Sequence, residues 1–247
     1  MSKPTLIFTP GAWYPAAAFN PLIDLLRDDH RCHTVAFPSV QQSTTVKDLQ
    51  PDIDTVRALV EEAADAGQEV VVVSHSWSGL PVNSALDGLS KSEREQAGKP
   101  GGVVKLVFIS AFLPDLGESL IGAFGGTPPD WYNRDLENET VTASDPHQLF
   151  FHDVPDGAAW APTLLPHAWA TKVAPATGAA YLNIPASYLL CEEDRAIPIA
   201  VQQVMVERAR EKGAQIETEK IGTGHTPYLV VPEQVAAYIK RQIGEAV

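Results

Sequence analysis

Three observations predict an α/β fold with a doubly wound, mostly parallel sheet of six strands. Short apolar runs rich in β-branched residues recur along the chain. They are continuous rather than alternating, which marks strands covered on both faces. Stretches of helical period separate most of them.

The first strand run is "TLIF" (5–8), followed by the helix-period stretch "AFNPLIDLLRD". "HTVAF" (33–37) and the helix "DIDTVRALVEEAADAG" come next, the latter closed by Gly67, a helix-stop residue. "EVVVVS" (69–74) leads into "LPVNSALDGLSKSE", and "VVKLVFIS" (103–110) follows. "ASYLLC" (186–191) precedes the helix "PIAVQQVMVERAREKG", which Gly213 ends, and "QIETEKI" (215–221) precedes "VPEQVAAYIKRQI". Between about 114 and 183 the alternation breaks, in a stretch rich in aromatics and prolines. It is too long and too apolar for a linker, so it is expected to form a helical insertion over the end of the sheet where open α/β sheets bind ligands. With 247 residues and 45% apolar side chains, one domain over 1–247 is expected.

A net charge of −13 repels phosphate backbones and anionic lipid, which argues against nucleic-acid and membrane partners. Two cysteines, Cys32 and Cys191, are too few for a disulfide framework and lack metal-ligand spacing, though one bridge between them stays open. The N-terminal apolar stretch is shorter than the roughly 7–15 residues of a signal peptide. A cytoplasmic protein, monomeric or homodimeric, acting on a small molecule without metal or cofactor is therefore the expectation.

In "SHSWSG" the valine run stops at a small residue, turns and restarts as a helix. Such a junction projects its apex side chain from the C-terminal edge of the sheet, beside the positive end of the following helix. Ser76 is the best apex: Ser74 would place Val72 at a position that must be small, and Ser78 would lie inside the helix. The competing reading is that the three serines merely cap a helix. A serine hydroxyl needs a base, and the base needs a carboxylate to orient it. His225, in the loop "GTGHTPYLVVP" between the last strand and the last helix, is the base candidate. His30, His33, His147, His152 and His167 read as surface or core histidines, and His75 as a packing or hydrogen-bonding residue. Asp194, in the turn of "CEEDRAIP", is the acid candidate, with Asp115 as an alternative. The order Ser, Asp, His is the order used on one class of hydrolytic α/β sheet. The amides of Trp77 and of Ala12, the latter next to Gly11 in "TPGAWYP", are placed to bind an oxyanion.

On these motifs the chain resembles the α/β-hydrolase family, in its compact branch of small esterases and hydroxynitrile lyases. "TPGAW" is similar to the family's HGAW loop, "SHSWSG" to GHSxGG, "CEEDRAIP" to its acid turn and "GHTPYLVVP" to its histidine loop. The resemblance implies a triad of Ser76, Asp194 and His225, an oxyanion hole of Ala12 and Trp77, and a helical lid near 114–183 shaping an apolar pocket. It departs at Pro10, where the family has histidine, and at Ser74 and Ser78, where it has glycine. Thr226 follows His225 where the lyases carry lysine, which disfavours cyanide chemistry. Aromatics gather in the loop, the elbow and the insertion, and the pocket candidates are Gly11, Trp13, Trp131, Phe150 and Trp160. The expected activity is hydrolysis of an ester or lactone of a small apolar or aromatic molecule through an acyl-enzyme on Ser76. Two rivals remain: a triad-based lyase, carbon–carbon hydrolase or cyclase, and a ligand-binding protein without turnover on the same scaffold.

Overall fold

The computed structural model describes residues 3–246. Strands β1 (Thr5–Thr9), β2 (Cys32–Thr34), β3 (Glu69–His75), β4 (Gly102–Ile109), β5 (Tyr132–Asp135), β6 (Thr140–Ala143), β7 (His167–Ala168), β8 (Ala186–Cys191) and β9 (Ile216–Ile221) form two sheets. The larger has the order β2-β1-β3-β4-β8-β9, with every pairing parallel. Parallel neighbours need crossovers. Helix Gln50–Asp65 returns the chain from β2 to β3, Ile199–Glu211 links β8 to β9, and Pro232–Gln242 follows β9. Val70, Val71, Val72 and Val73 are all fully buried, which explains why β3 is a continuous apolar run. Cys32 and Cys191 lie on strands four places apart in the sheet, and both are free thiols.

The strand order reverses between β1 and β3, which pair from Thr5↔Val70 to Thr9↔Ser74. At such a switch point the loops leaving two adjacent strands diverge and open a crevice at the C-terminal edge. One side of that crevice is Gly11–Trp13 and the other is the turn at Ser76. Further along the same edge, His75 pairs with Ile109, Ile109 with Leu189 and Cys191 with Ile221. Ser110, Asp194 and His225 therefore leave the sheet on the same side as Ser76.

Two helical expectations change in detail. The stretch 18–28 forms a 3₁₀ turn, Ala16–Phe19, running into a single helical turn at Asn20–Ile23. The stretch 80–93 divides into Gly79–Ala85 and Lys91–Gln96. Gly88, at φ 74°, breaks it, and Ser90 starts the second helix by accepting from the Glu93 amide at 3.1 Å.

The insertion is not simply helical, and this corrects the sequence reading. Besides short helices at Leu120–Ala123, Pro146–Phe150, Gly157–Trp160 and Ala170–Val173, it carries the antiparallel sheet β5-β6-β7. Periodicity did not reveal it because β5 is polar and mostly exposed and β7 has two residues. Its hairpin is set by turn chemistry instead. Asp135 Oδ1 accepts from the amides of Glu137 and Asn138, each at 3.0 Å, and Glu139 adopts φ 53°.

The structure also explains why serine can stand at the elbow's flanks. Ser78 Oγ accepts from the His75 amide at 3.0 Å and lies 2.8 Å from the Thr9 carbonyl, 3.0 Å from the Thr9 hydroxyl and 2.9 Å from that of Ser74. The hydroxyls tie the ends of β1 and β3 together. The glycine this elbow needs is Gly79, where a Cβ would come within 1.9 Å of the Phe112 carbonyl oxygen. That backbone cannot retreat freely, since the Phe112 amide donates to the Ser76 carbonyl at 3.0 Å. Gly79→Ala is expected to lower stability by about 3 kcal/mol, as overpacking against backbone does. Urea unfolding checks it, and a loss below about 0.5 kcal/mol would contradict the packing described.

Candidate active site

Ser76 stands at the tip of the turn between β3 and helix Gly79–Ala85, at φ 56°. A non-glycine residue in the left-handed region costs on the order of 1 kcal/mol and persists only where its surroundings hold it. Here the Ser78 hydroxyl and the Phe112–Ser76 backbone bond hold it. Ser76 Oγ lies 3.0 Å from His225 Nε2, and His225 Nδ1 lies 2.7 Å from Asp194 Oδ2. An ionised carboxylate only accepts, so Nδ1 carries the proton and Nε2 is left as the acceptor for the serine hydroxyl.

Asp194 is buried, and donors surround it on all sides. Its Oδ1 accepts from the amides of Ala196 at 2.7 Å and Ile197 at 2.8 Å, while Ser110 Oγ donates to the same Oδ2 that His225 contacts. These bonds fix the carboxylate's orientation and satisfy its charge away from water. Asp115, the alternative acid, is elsewhere: it pairs with Arg208 and Lys212.

His225 is pinned from several sides. His75 Nε2 donates to the His225 carbonyl at 2.9 Å, and the Tyr228 hydroxyl donates to His75 Nδ1 at 3.2 Å. From the insertion, Asp153 Oδ2 accepts from the Gly224 amide at 2.6 Å, and the Phe150 carbonyl accepts from Thr226 Oγ1 at 2.8 Å. Thr226 is fully buried and does not line the cavity above Ser76.

Gly11 lies where a Cβ would come within 2.9 Å of the His75 ring and 3.0 Å of Ser76 Cβ. Its lack of a side chain lets the loop after β1 close onto the elbow. Neither the Ala12 nor the Trp77 amide meets a protein acceptor among the described residues. Above them is a cavity of about 20 Å³, lined by Ala12, Trp13, Ser76, Trp77, Phe112, Leu120, Phe124, Trp131, Tyr132, Phe150, Ala196, Ile197 and His225. Of the pocket candidates, Trp13, Trp131 and Phe150 line this cavity, whereas Gly11 and Trp160 do not. Trp160 packs against the core from the insertion, and Gly11 faces the His75 ring.

Sequence reasoning missed Ser110, Asp153, the lining residues Phe112, Leu120, Phe124 and Ile197, and the buried Lys172. Ser110 had a usable signal, since it ends a strand run at the same edge as the other candidates.

Several buried groups are tuned by desolvation. Burial, reinforced by the nearby His225, holds the His75 imidazole well below its ordinary range, and burial does the same to His167. Burial raises Asp52 to about 6, against the lowering effect of the Ser39 hydrogen bonds. The signs oppose. A histidine whose folded pKa is depressed makes the unfolded chain bind more protons below about 6.5, so stability falls with pH there by up to about 1.4 kcal/mol per unit for each. Asp52, raised when folded, adds stability as pH falls from about 6 towards 3.8. Two histidines outweigh one carboxyl, so the urea midpoint at pH 5 is expected below that at pH 7. An unchanged or higher midpoint would contradict the neutral burial of His75 and His167.

A parallel sheet whose strand order reverses between β1 and β3, with Ser76, His225 and Asp194 hydrogen-bonded in that order at its C-terminal edge, defines a class. The chain belongs to the α/β-hydrolase family, whose model matches residues 6–238, and it is an enzyme of that class. Among individual proteins it is similar to the alpha/beta hydrolase nvfD of Aspergillus novofumigatus, at 30% identity over 253 residues, covering 100% of this chain and 99% of the relative. It shares the fold of a pyrethroid hydrolase from Sphingobium faniae, with a TM-score of 0.77 at 19% identity and 97% of each chain covered. It likewise shares the fold of polyneuridine aldehyde esterase, with a TM-score of 0.77 at 17% identity, covering 97% of this chain and 99% of that one.

Proposed function

We propose that this protein hydrolyses a carboxylic ester or lactone of a small apolar or aromatic molecule through an acyl-enzyme on Ser76. The observation that carries the reading is the chain of contacts from Ser76 Oγ to His225 Nε2 at 3.0 Å and from His225 Nδ1 to Asp194 at 2.7 Å. That two proteins of the same fold are a pyrethroid hydrolase and a polyneuridine aldehyde esterase agrees with it.

In this mechanism Ser76 Oγ attacks the carbonyl carbon as its proton passes to His225 Nε2, and the carbonyl electron pair moves onto oxygen. The Ala12 and Trp77 amides hold that oxyanion, and Asp194 holds the resulting imidazolium. Collapse breaks the bond to the leaving alkoxide, which takes the proton from His225. Water then repeats the sequence on the acyl-enzyme, releasing the acid and restoring Ser76. In a lactone both products are one molecule.

Space limits the substrate. A 20 Å³ cavity holds little more than a water molecule, against the several hundred cubic ångströms of a typical ligand pocket. The insertion residues Trp131, Tyr132 and Phe150 therefore act as a lid that moves to admit substrate, then closes apolar walls around the acyl group. Thr226, with its hydroxyl committed to the Phe150 carbonyl, offers no cation for a lyase-type leaving group.

Stopped-flow mixing with p-nitrophenyl esters of increasing acyl length tests the reading. A burst of p-nitrophenol equal to the enzyme concentration is expected, with short or aromatic acyl groups preferred over long chains. Turnover without a burst and without any acyl dependence would count against the covalent route.

A further inference from the structure

Behind the two amide-bearing loops lies a buried polar cluster that the proposed reaction does not use. Lys172, on the short insertion helix Ala170–Val173, is fully buried, and its Nζ makes no hydrogen bond among the described residues. The Nζ instead lies 4.5 Å from the centroid of the Trp13 ring and 5.3 Å from that of Trp77. These two tryptophans belong to the loop after β1 and to the elbow after β3, the two segments that supply the oxyanion donors.

We infer that Lys172 is a positioning residue of the oxyanion site: its amino group, held between the faces of Trp13 and Trp77, locks the Ala12 and Trp77 amides into one convergent arrangement. The inference rests on the serine-hydrolase reading above and deepens it.

Burial pulls the Lys172 amine well below its ordinary range, and the negative Asp52 opposes that pull; ring faces are among the few partners that favour a desolvated cation. Asp52 is near enough for its charge to favour the protonated amine. One of its oxygens accepts from the Ser39 amide at 3.0 Å, and the other has no hydrogen-bond partner among the described residues. Both tryptophans are held on their remaining sides as well. Trp13 Nε1 donates to the Val141 carbonyl at 2.8 Å, and the Trp77 ring meets His167 edge-on at 4.5 Å and Phe37 at 5.2 Å. His167 itself lies between the hydroxyls of Ser39 at 3.1 Å and Thr171 at 3.2 Å.

Trp13 supplies a second observation. It adopts φ 72°, a region unfavourable to a bulky side chain, directly after Ala12. Such a conformation persists only where its surroundings over-determine it. The Val141 hydrogen bond fixes one edge of the indole, and Lys172 covers its face. Removing the amino group frees the loop that aims the Ala12 amide.

The test uses the full chain with Lys172→Met, which keeps length without charge, and Lys172→Arg, which keeps charge. Steady-state kinetics on p-nitrophenyl acetate are combined with inhibition by a trifluoromethyl ketone, whose Ser76 adduct places a negative oxygen at the two amides. Lys172→Met is expected to lower kcat about tenfold with KM within about twofold, and to weaken the ketone by a similar factor, the range for a lost oxyanion donor or less. Lys172→Arg is expected to recover most of both. Trp77→Leu, which keeps the amide but removes one ring face, gives the same pattern and serves if Lys172→Met does not fold. Wild-type kcat and ketone affinity in Lys172→Met, even with a lowered Tm, would overturn the inference, as would wild-type values in Trp77→Leu. A wild type that turns over no ester removes both readings, whereas an active wild type matched by Lys172→Met removes only this one.

Discussion

Ser76→Ala is expected to lower kcat/KM on any accepted ester by about 10⁴- to 10⁶-fold, the range seen when a triad nucleophile is deleted. The fold should tolerate it. Ser76 is buried, and the hydrogen bonds that hold the elbow run through its backbone carbonyl and the Ser78 hydroxyl rather than through Oγ. The change removes one oxygen that contacts His225 and leaves no buried donor stranded, because His225 Nε2 then faces the crevice. Circular dichroism and the urea midpoint should match wild type while turnover disappears. Activity within tenfold of wild type would place the nucleophile elsewhere.

Asp194→Asn is expected to reduce kcat by about 10⁴-fold with a modest effect on KM. The reason lies in its four donors. The Ala196 and Ile197 amides point at Oδ1, so in the asparagine variant the carbonyl oxygen must stay with them, and the side-chain NH₂ takes the position facing His225 and Ser110. An NH₂ group cannot accept from His225 Nδ1. The imidazole then favours the tautomer protonated on Nε2, which cannot take the proton of Ser76. Asp194→Ala removes the orienting group but does not impose that tautomer. It is expected to leave more activity than Asp194→Asn at high pH, and rate–pH profiles of the two variants separate the effects.

The central strands of the main sheet were legible because they are buried on both faces and so announce themselves as continuous apolar runs, which the partly exposed edge strands β2 and β9 are not. Val70–Val73 and Ala186–Cys191 are such runs. Ser76, Asp194 and His225 were legible for a related reason, since each follows a run's end at one edge of a parallel sheet. Their hydrogen-bonded contact is tertiary and came only with the structure. The β5–β6 hairpin was not legible from periodicity, because its strands are short, β5 is mostly exposed and its turn depends on Asp135. Ser110 sat at a run's end without a partner visible in sequence. Lys172 was the least visible of all. In "ATKV" it reads as an ordinary solvated lysine, and only the packing of the insertion onto Trp13 and Trp77 removes it from water.

Covalent labelling tests the central claim most directly. Wild type and Ser76→Ala are treated with a fluorophosphonate, their intact masses measured and the adduct located by peptide mapping. One adduct per chain, on Ser76 and absent from Ser76→Ala, is the expected result. Equal labelling of both proteins, or no labelling of wild type, would contradict a nucleophilic Ser76.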